Sequence, residues 1–532
     1  MGIGGYKISY RSVVLLWVFV FFIWGALTLR TYPPINYNLG DEIWAVEGSL
    51  NFFDNPPIGY AIPRLYFASL GLFLSLTGGG VFVARLFSLI AGSILLYLTY
   101  VLGKEILDEK AGLVSSIVLG STFAFQWHSN IARPEIMTSL IIVFAFYLLL
   151  VGLRENMRLL LYSGILSALS INIHPNNLQY VPGFVAAYVI LARKKVFSKA
   201  TLLFLSGLGA GILAWMVFSY APSQASSVQA QSAAQAASGI LRSYPFPFMN
   251  KNLFALFKES VISFPKDYIF QYLRLFNDFF PNNISAYFFA VSAGLVYLTA
   301  LFTRQRRNVL LLAGFPALTA FFNYFITEQF GYWHVVEFYP FFAVALAAGL
   351  KGIEGLRTPR EGLRTPREGA LPLGRRASTV FVWLFIAVFS AAGIADIAMG
   401  RIRMRKYSYT RLLGKVSAAV PSGSKVVARD FYLPALKHAD FVGVWFKLER
   451  PSANCPGFED EVKRQGVDYI IMDEGFRTIA SKSCGPAYDT EIMRYINLKC
   501  SLSSAIDEQY PHYWAAGKII SGVYIFKTDK NM

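Results

Sequence analysis

No cysteine occurs before position 455, and the chain has only three, Cys455, Cys484 and Cys500. Histidine is nearly as scarce, with five copies. Their spacing matches no zinc pattern, which excludes a structural zinc module and leaves no cofactor expected, a divalent metal staying open. One disulfide plus one free thiol in an exported domain fits the three cysteines, and three free thiols fit equally.

Charge is scarce as well. Only 15% of the 532 residues are charged, against 55% hydrophobic and 16% aromatic, which excludes an ordinary soluble globular chain. Acidic residues are the scarcer sign, 32 against 49 basic ones, for a net charge of +17. No basic cluster carries interleaved aromatics, so the excess reads as loop bias and attraction to membrane lipids, with no nucleic-acid partner.

What the chain has in abundance is apolar runs long enough to cross a bilayer, which takes about 20 residues. They fall near 12–29, 62–77, 81–102, 112–129, 136–153, 159–174, 177–192, 200–219, 284–303, 308–327, 335–350 and 379–399. The first follows Lys7 and Arg11 as a signal sequence would, but Thr28-Leu29-Arg30 offers no small-residue cleavage site, so it reads as an uncleaved span.

Loop charges then decide the topology. With the N-terminus inside and 62–77 not crossing, the inner loops hold Lys104 and Lys110, Arg154 and Arg158, Arg193 to Lys199, Arg304 to Arg307, and Lys351 to Arg376. If 62–77 crossed, all of these would face outward, against the positive-inside rule. The segment starts among Pro56, Pro57, Pro63 and Arg64 and reads as a juxtamembrane or re-entrant helix. The expected fold is therefore a polytopic α-helical membrane protein of about 11 spans over residues 1–400, with a small extracytoplasmic α/β domain over 401–532. Arg401, Arg403, Arg405 and Lys406 pull the other way, but long exported domains tolerate such charge.

Three loops stand apart. The outer stretch 220–283 opens with a Ser/Gln/Ala-rich run and reads as a lid or as a linker. The sequon Asn283-Ile284-Ser285 lies too close to the bilayer to weigh much. The inner loop repeats Glu354 to Arg360 at once as Glu361 to Arg367, a tolerated insertion with no chemistry assigned. Beyond Tyr407, strands are expected at 424–428, 467–472 and 519–527 and a helix at 458–465.

In this topology several polar groups converge on the outer face: Asp41 and Glu42, Arg85, Arg133-Pro134-Glu135, His174-Pro175-Asn176-Asn177, and Trp333-His334 with Glu337. Singly, each has a plain structural explanation as a solvated or snorkelling residue. Together they make a polar cleft at the outer leaflet, with acids for proton transfer and arginines for an anion.

These residues resemble a family. Gly40-Asp41-Glu42, Ala84-Arg85-Leu86-Phe87-Ser88 with Ala91-Gly92, Gly103-Lys104, Ala111-Gly112-Leu113 and Ala132-Arg133-Pro134-Glu135 look like the GT-C glycosyltransferases. The nearest branch holds the protein O-mannosyltransferases and the aminoarabinose transferase of lipid A. The resemblance is good over about residues 10–190 and only architectural at the C-terminus. It implies a juxtamembrane helix in the first outer loop, and an enzyme that takes a sugar from a polyprenyl-phosphate donor and transfers it with inversion to an extracytoplasmic glycan, lipid or protein. It places Asp41 at the catalytic acidic position, Glu42 beside it, and Glu135 where many members have Asp.

The chemistry is consistent with that expectation. A prenyl phosphate leaves without a strong general acid but needs cations, for which Arg85, Arg133 and His334 are candidates. Asp41 as general base would contribute about 10²–10⁴-fold. His174, Asn176, Trp333 and Glu337 are expected to bind substrate. A transporter or flippase of lipid-linked sugars is the alternative, but no paired repeat is visible, the acidic pair lies at the interface and a folded outer domain follows the spans. A membrane-anchored binding protein would leave the buried charges without a purpose.

Overall fold

The computed structural model describes residues 2–3, 6–7, 9–29, 41–53, 63–193, 196–217, 305–327, 337–355, 383–388, 390–395, 409–443, 455–511 and 519–529, with isolated positions at 294, 298, 380 and 398. The expected span at 284–303 and the repeat at 354–367 lie almost wholly outside these residues. The chain forms two compact units: residues 1–27, 51–78 and 84–399 make the first, and 28–50, 79–83 and 400–532 the second.

The first unit is helical. Helix α1 runs Tyr10–Ala26, and the second unit contributes α2, Asp41–Leu50. Then come α3 (Arg64–Thr77), α4 (Val81–Ile106), α5 (Glu109–Gly120), α6 (Phe123–Ser129), α7 (Pro134–Arg154), α8 (Arg158–Leu169) and α9 (Tyr180–Ala192). Two 3-10 turns, Ser170–Asn172 and Pro175–Gln179, separate α8 from α9. Helices α10 (Lys199–Trp215), α11 (Arg306–Thr327) and α12 (Tyr339–Gly355) follow. Among the described residues, α4 and α7 are by themselves long and apolar enough to cross a membrane. Helix α1 leaves Leu16 and Phe19 more than half exposed, an apolar outer face suited to lipid rather than water.

The ends of several helices gather at two poles. At one pole, Arg154 pairs with Glu105 and Lys351 with Asp108, each at 2.6 Å. Lys104, Lys110, Arg158, Lys199 and Arg306 also sit at helix ends there. This is the basic pole that the loop charges define. Asp108 caps α5 by accepting from the Ala111 amide at 2.8 Å.

Between the poles, aromatic packing holds the bundle. Phe146 of α7 contacts Phe315 of α11 and Phe341 of α12 at centroid distances of 5.0 and 5.1 Å, and Phe184 of α9 joins at 5.3 Å from Phe315. Helices α8 and α10 approach closely through glycine. A Cβ at Gly207 would lie 2.2 Å from the Leu161 carbonyl, and one at Gly164 2.3 Å from that of Phe204. Lipid tails give no hydrophobic drive between helices, so such small-residue contacts carry the packing.

Segment α3 has 14 residues, about 21 Å of helix, short of the roughly 30 Å hydrocarbon core. It buries Tyr66, Phe67, Leu70, Gly71 and Leu74 along one side and exposes Leu72 and Leu76 on the other. The stretch expected as one span at 112–129 is two helices, broken at Ser121–Thr122.

The second unit is built on a five-stranded sheet. Its strands are β1 (Lys425–Ala428), β2 (Asp440–Gly443), β3 (Tyr469–Met472), β4 (Cys500–Pro511) and β5 (Ile519–Thr528), in the order β2-β1-β3-β5-β4. Strands β1, β2 and β3 are parallel, while β5 is antiparallel to β3 and β4. Helices α13 (Tyr409–Ala419), α14 (Phe458–Gln465), α15 (Glu474–Cys484) and α16 (Pro486–Lys499) complete it. Side-chain alternation splits the core in two. Val426, Ala428 and Ile471 pack with α13 on one face, and Val427, Ile470 and Met472 with α14, α15 and α16 on the other. Cys455 and Cys484 form a disulfide and Cys500 is a free thiol.

Candidate active site

The polar residues of the first unit lie at the pole opposite the basic one. Arg133 precedes a proline, which disfavours helix, and is extended at φ −138° and ψ 156°. Pro134 then opens α7, where a missing N–H costs nothing, and Glu135 falls in the first turn. The Glu135 carboxylate is buried and meets the Arg133 guanidinium at 2.6 Å. A buried carboxylate needs such a partner.

Glu337, just ahead of α12, is also fully buried. Tyr180, the first residue of α9, donates its hydroxyl to Glu337 Oε2, and Ser139 of α7 donates to the Glu337 carbonyl at 3.2 Å. Asn177 Nδ2 donates to Thr138 Oγ1 at 3.1 Å and to the Ser170 carbonyl at 2.7 Å. Three segments distant in sequence are thereby joined by polar bonds at one level. Gln179 is buried beside them, and its amide makes no hydrogen bond among the described residues. His174 is half-buried at the same turn.

Arg85, in the second turn of α4, is fully buried. Two residues on, Phe87 packs against Tyr66 and Phe73 of α3 at 6.3 and 5.4 Å, while Ser69 of α3 lies 3.9 Å from the Met137 sulfur of α7. Helix α3 therefore braces the ends of α4 and α7 that carry Arg85 and Glu135. At the end of α6, Asn130 and His128 are buried too, with Asn130 Nδ2 donating to the Gln126 carbonyl at 2.8 Å.

Asp41 and Glu42 open α2 in the second unit. Glu42 is fully buried, on the helical stripe with Ala45, Val46 and Ser49. The side chains of Asp41 and Asn176 lie outside the described part, and so do residues Trp333 and His334. Of the expected groups, Glu135, Arg133, Arg85, Glu337 and His174 thus share one pole of one unit. Tyr180, Gln179 and Ser139 were not singled out from sequence. Tyr180 looks like one more interfacial aromatic until its partner 157 residues away is known. Among the described residues, no group of three or more His, Cys, Asp or Glu side chains is arranged to hold a metal ion.

Comparison with known proteins follows the same lines. Residues 62–220 match the family model described as dolichyl-phosphate-mannose-protein mannosyltransferase. No curated protein matches the chain by sequence. The fold is similar to that of ArnT from Cupriavidus metallidurans, solved in the apo state and bound to undecaprenyl phosphate. Each ArnT structure aligns at TM-score 0.55 and 13% identity, over 97% of this chain and 98% of that one. It is also similar to the archaeal oligosaccharyltransferase AglB from Archaeoglobus fulgidus, solved with an inhibitory peptide and a dolichol-phosphate. There the TM-score is 0.51 and the identity 14%, over 89% of this chain and 72% of that one.

Proposed function

We propose that this chain, a membrane glycosyltransferase of the GT-C type, takes a sugar from a polyprenyl-phosphate carrier and transfers it with inversion to an extracytoplasmic glycan, lipid or protein. The observation that carries the reading is the gathering of buried ionisable side chains, Arg85, Arg133, Glu135 and Glu337, at one pole of an apolar bundle. Ionisable groups in such a place are costly and have a functional explanation by default. Support for the carrier comes from the relatives, one solved with undecaprenyl phosphate and one with a dolichol-phosphate.

In this reading Arg85 and Arg133 stabilise the charge that develops on the departing phosphate, with His334 as a third cation. Glu135 orients Arg133 through their ion pair. Asp41 takes the acceptor's proton from the opposite face of the sugar, and Glu42 is its neighbour. Glu337, His174, Asn176, Asn177 and Trp333 line the sugar or acceptor side, and the Gln179 amide offers it both N–H donors and a carbonyl acceptor. The extracytoplasmic orientation is supported by the basic residues collected at the opposite pole and by the Cys455–Cys484 disulfide, which belongs to an oxidising compartment.

The deciding experiment sets purified wild-type and Asp41→Asn protein against a panel of prenyl-phosphate sugars, scored for donor hydrolysis as well as transfer. Loss of transfer with folding intact is expected, and full turnover by the variant removes Asp41 as the base. Single cysteines replacing Asn156 and Gln229 should label from opposite sides of the membrane; labelling from one side overturns the orientation.

A further inference from the structure

Strands β1 and β3 lie side by side and parallel, yet β2 flanks β1 on the other side, so connections at their carboxyl ends diverge. In open α/β sheets such a divergence leaves a crevice. Here it is filled by a buried ion pair between Arg429, which follows β1, and Asp473, which follows β3. Both carboxylate oxygens of Asp473 are engaged. Oδ2 accepts from the Arg429 guanidinium and, at 2.6 Å, from the Tyr432 hydroxyl, and Oδ1 accepts from the Phe476 amide at 2.7 Å, capping α15. The arginine sits so close over the next helix that a Cβ at Gly475 would lie 2.2 Å from Nη1.

A sheet that needed only a core would be at least as stable with apolar side chains in this crevice. What the polar network fixes is the 3-10 helix Asp430–Ala435, which begins right after Arg429 and contains the fully buried Tyr432. Within the same unit, α2 packs against that 3-10 helix. Lys437, two residues beyond it, comes within 4.0 Å of Glu47 in α2. The connection runs from the carboxyl ends of β1 and β3 through Tyr432 to α2, and Asp41 is the first residue of α2.

We propose that Arg429, Tyr432 and Asp473 are positioning residues that hold, through the 430–435 helix, the helix that presents Asp41. The C-terminal sheet is then part of the transferase machinery. The proposal rests on the reading of Asp41 as base, and its test separates the two.

Tyr432→Phe keeps the ring and removes the bond to Asp473. Amide exchange of peptides covering 41–50 should quicken by about tenfold while β3 and β5 stay protected. Transfer kcat should fall by about tenfold with KM for the donor unchanged, the signature of a misplaced reacting group. Unchanged exchange at 41–50 overturns the proposal. Faster exchange with full kcat upholds the link to α2 and counts against Asp41 as base. If Tyr432→Phe loosens the whole sheet, the surface variant Lys437→Glu decides instead. It places like charges across the contact with Glu47 and should raise exchange at 41–50, with Glu47→Lys in the same protein restoring it. No change in Lys437→Glu overturns the proposal.

Discussion

Tyr180 and Glu337, 157 residues apart, are joined by a hydrogen bond from the phenol to a fully buried carboxylate. That bond ties the start of α9 to the start of α12 at the level where Ser139 of α7 also reaches Glu337. Tyr180→Phe leaves Glu337 Oε2 without this donor in a buried place, a change that costs about 1–3 kcal/mol. A lower thermal midpoint in detergent and reduced transfer are expected together. A variant with wild-type melting and turnover would show the bond to be dispensable.

The Arg133–Glu135 pair permits a sharper separation of stability from chemistry. Arg133→Met removes the guanidinium that pairs with the buried Glu135 carboxylate, a loss of about 3–5 kcal/mol for pairs of this kind. Replacing both, Arg133→Met with Glu135→Gln, removes the charge as well and should recover most of the stability. If Arg133 holds the donor phosphate, the double variant stays inactive although it melts near the wild type. Recovery of transfer in the double variant would make the pair purely structural.

Local features were legible in the sequence, and long-range pairings were not. The Arg133-Pro134-Glu135 turn could be read because a proline, its predecessor and the first helical turn are neighbours in the chain. Strands expected at 424–428, 467–472 and 519–527 occur at Lys425–Ala428, Tyr469–Met472 and Ile519–Thr528, where β-branched runs mark them. Strand β4, Cys500–Pro511, has three serines among its first five residues and lacked that signal. The break at Ser121–Thr122 was hidden because both halves are apolar. Tyr180 with Glu337 and Arg429 with Asp473 were beyond reach, since nothing local ties residues 157 or 44 positions apart.

Helix packing in the first unit makes a paired prediction. A Cβ at Gly207 meets the Leu161 carbonyl at 2.2 Å, whereas one at Gly209 meets nothing within 4 Å. Gly207→Ala must push α8 and α10 apart and should destabilise by about 1–3 kcal/mol. Gly209→Ala only restricts the unfolded backbone and should be neutral or stabilising by up to about 1 kcal/mol. Thermal unfolding of the two variants in one detergent checks the contrast. Equal midpoints would mean that close approach at Gly207 does not hold these helices together.

Cys500 lies beside the final strand, and its thiol pKa is pushed up to about 12, first by burial and then by Asp529. Burial disfavours the thiolate, the only form that alkylates readily, so the native thiol should react with iodoacetamide at pH 8 about a hundredfold or more slowly than free cysteine. Because the folded value exceeds the ordinary one of about 8.5, this group contributes stability that is fully present below that pH. The contribution is lost as pH rises towards 12. Cys455 and Cys484, joined as a disulfide, should label only after reduction. Mass spectrometry of protein alkylated before and after unfolding, with and without reductant, reads all three positions. Rapid native labelling of Cys500 at pH 8, at the rate of a free thiol, would refute the burial that raises its pKa.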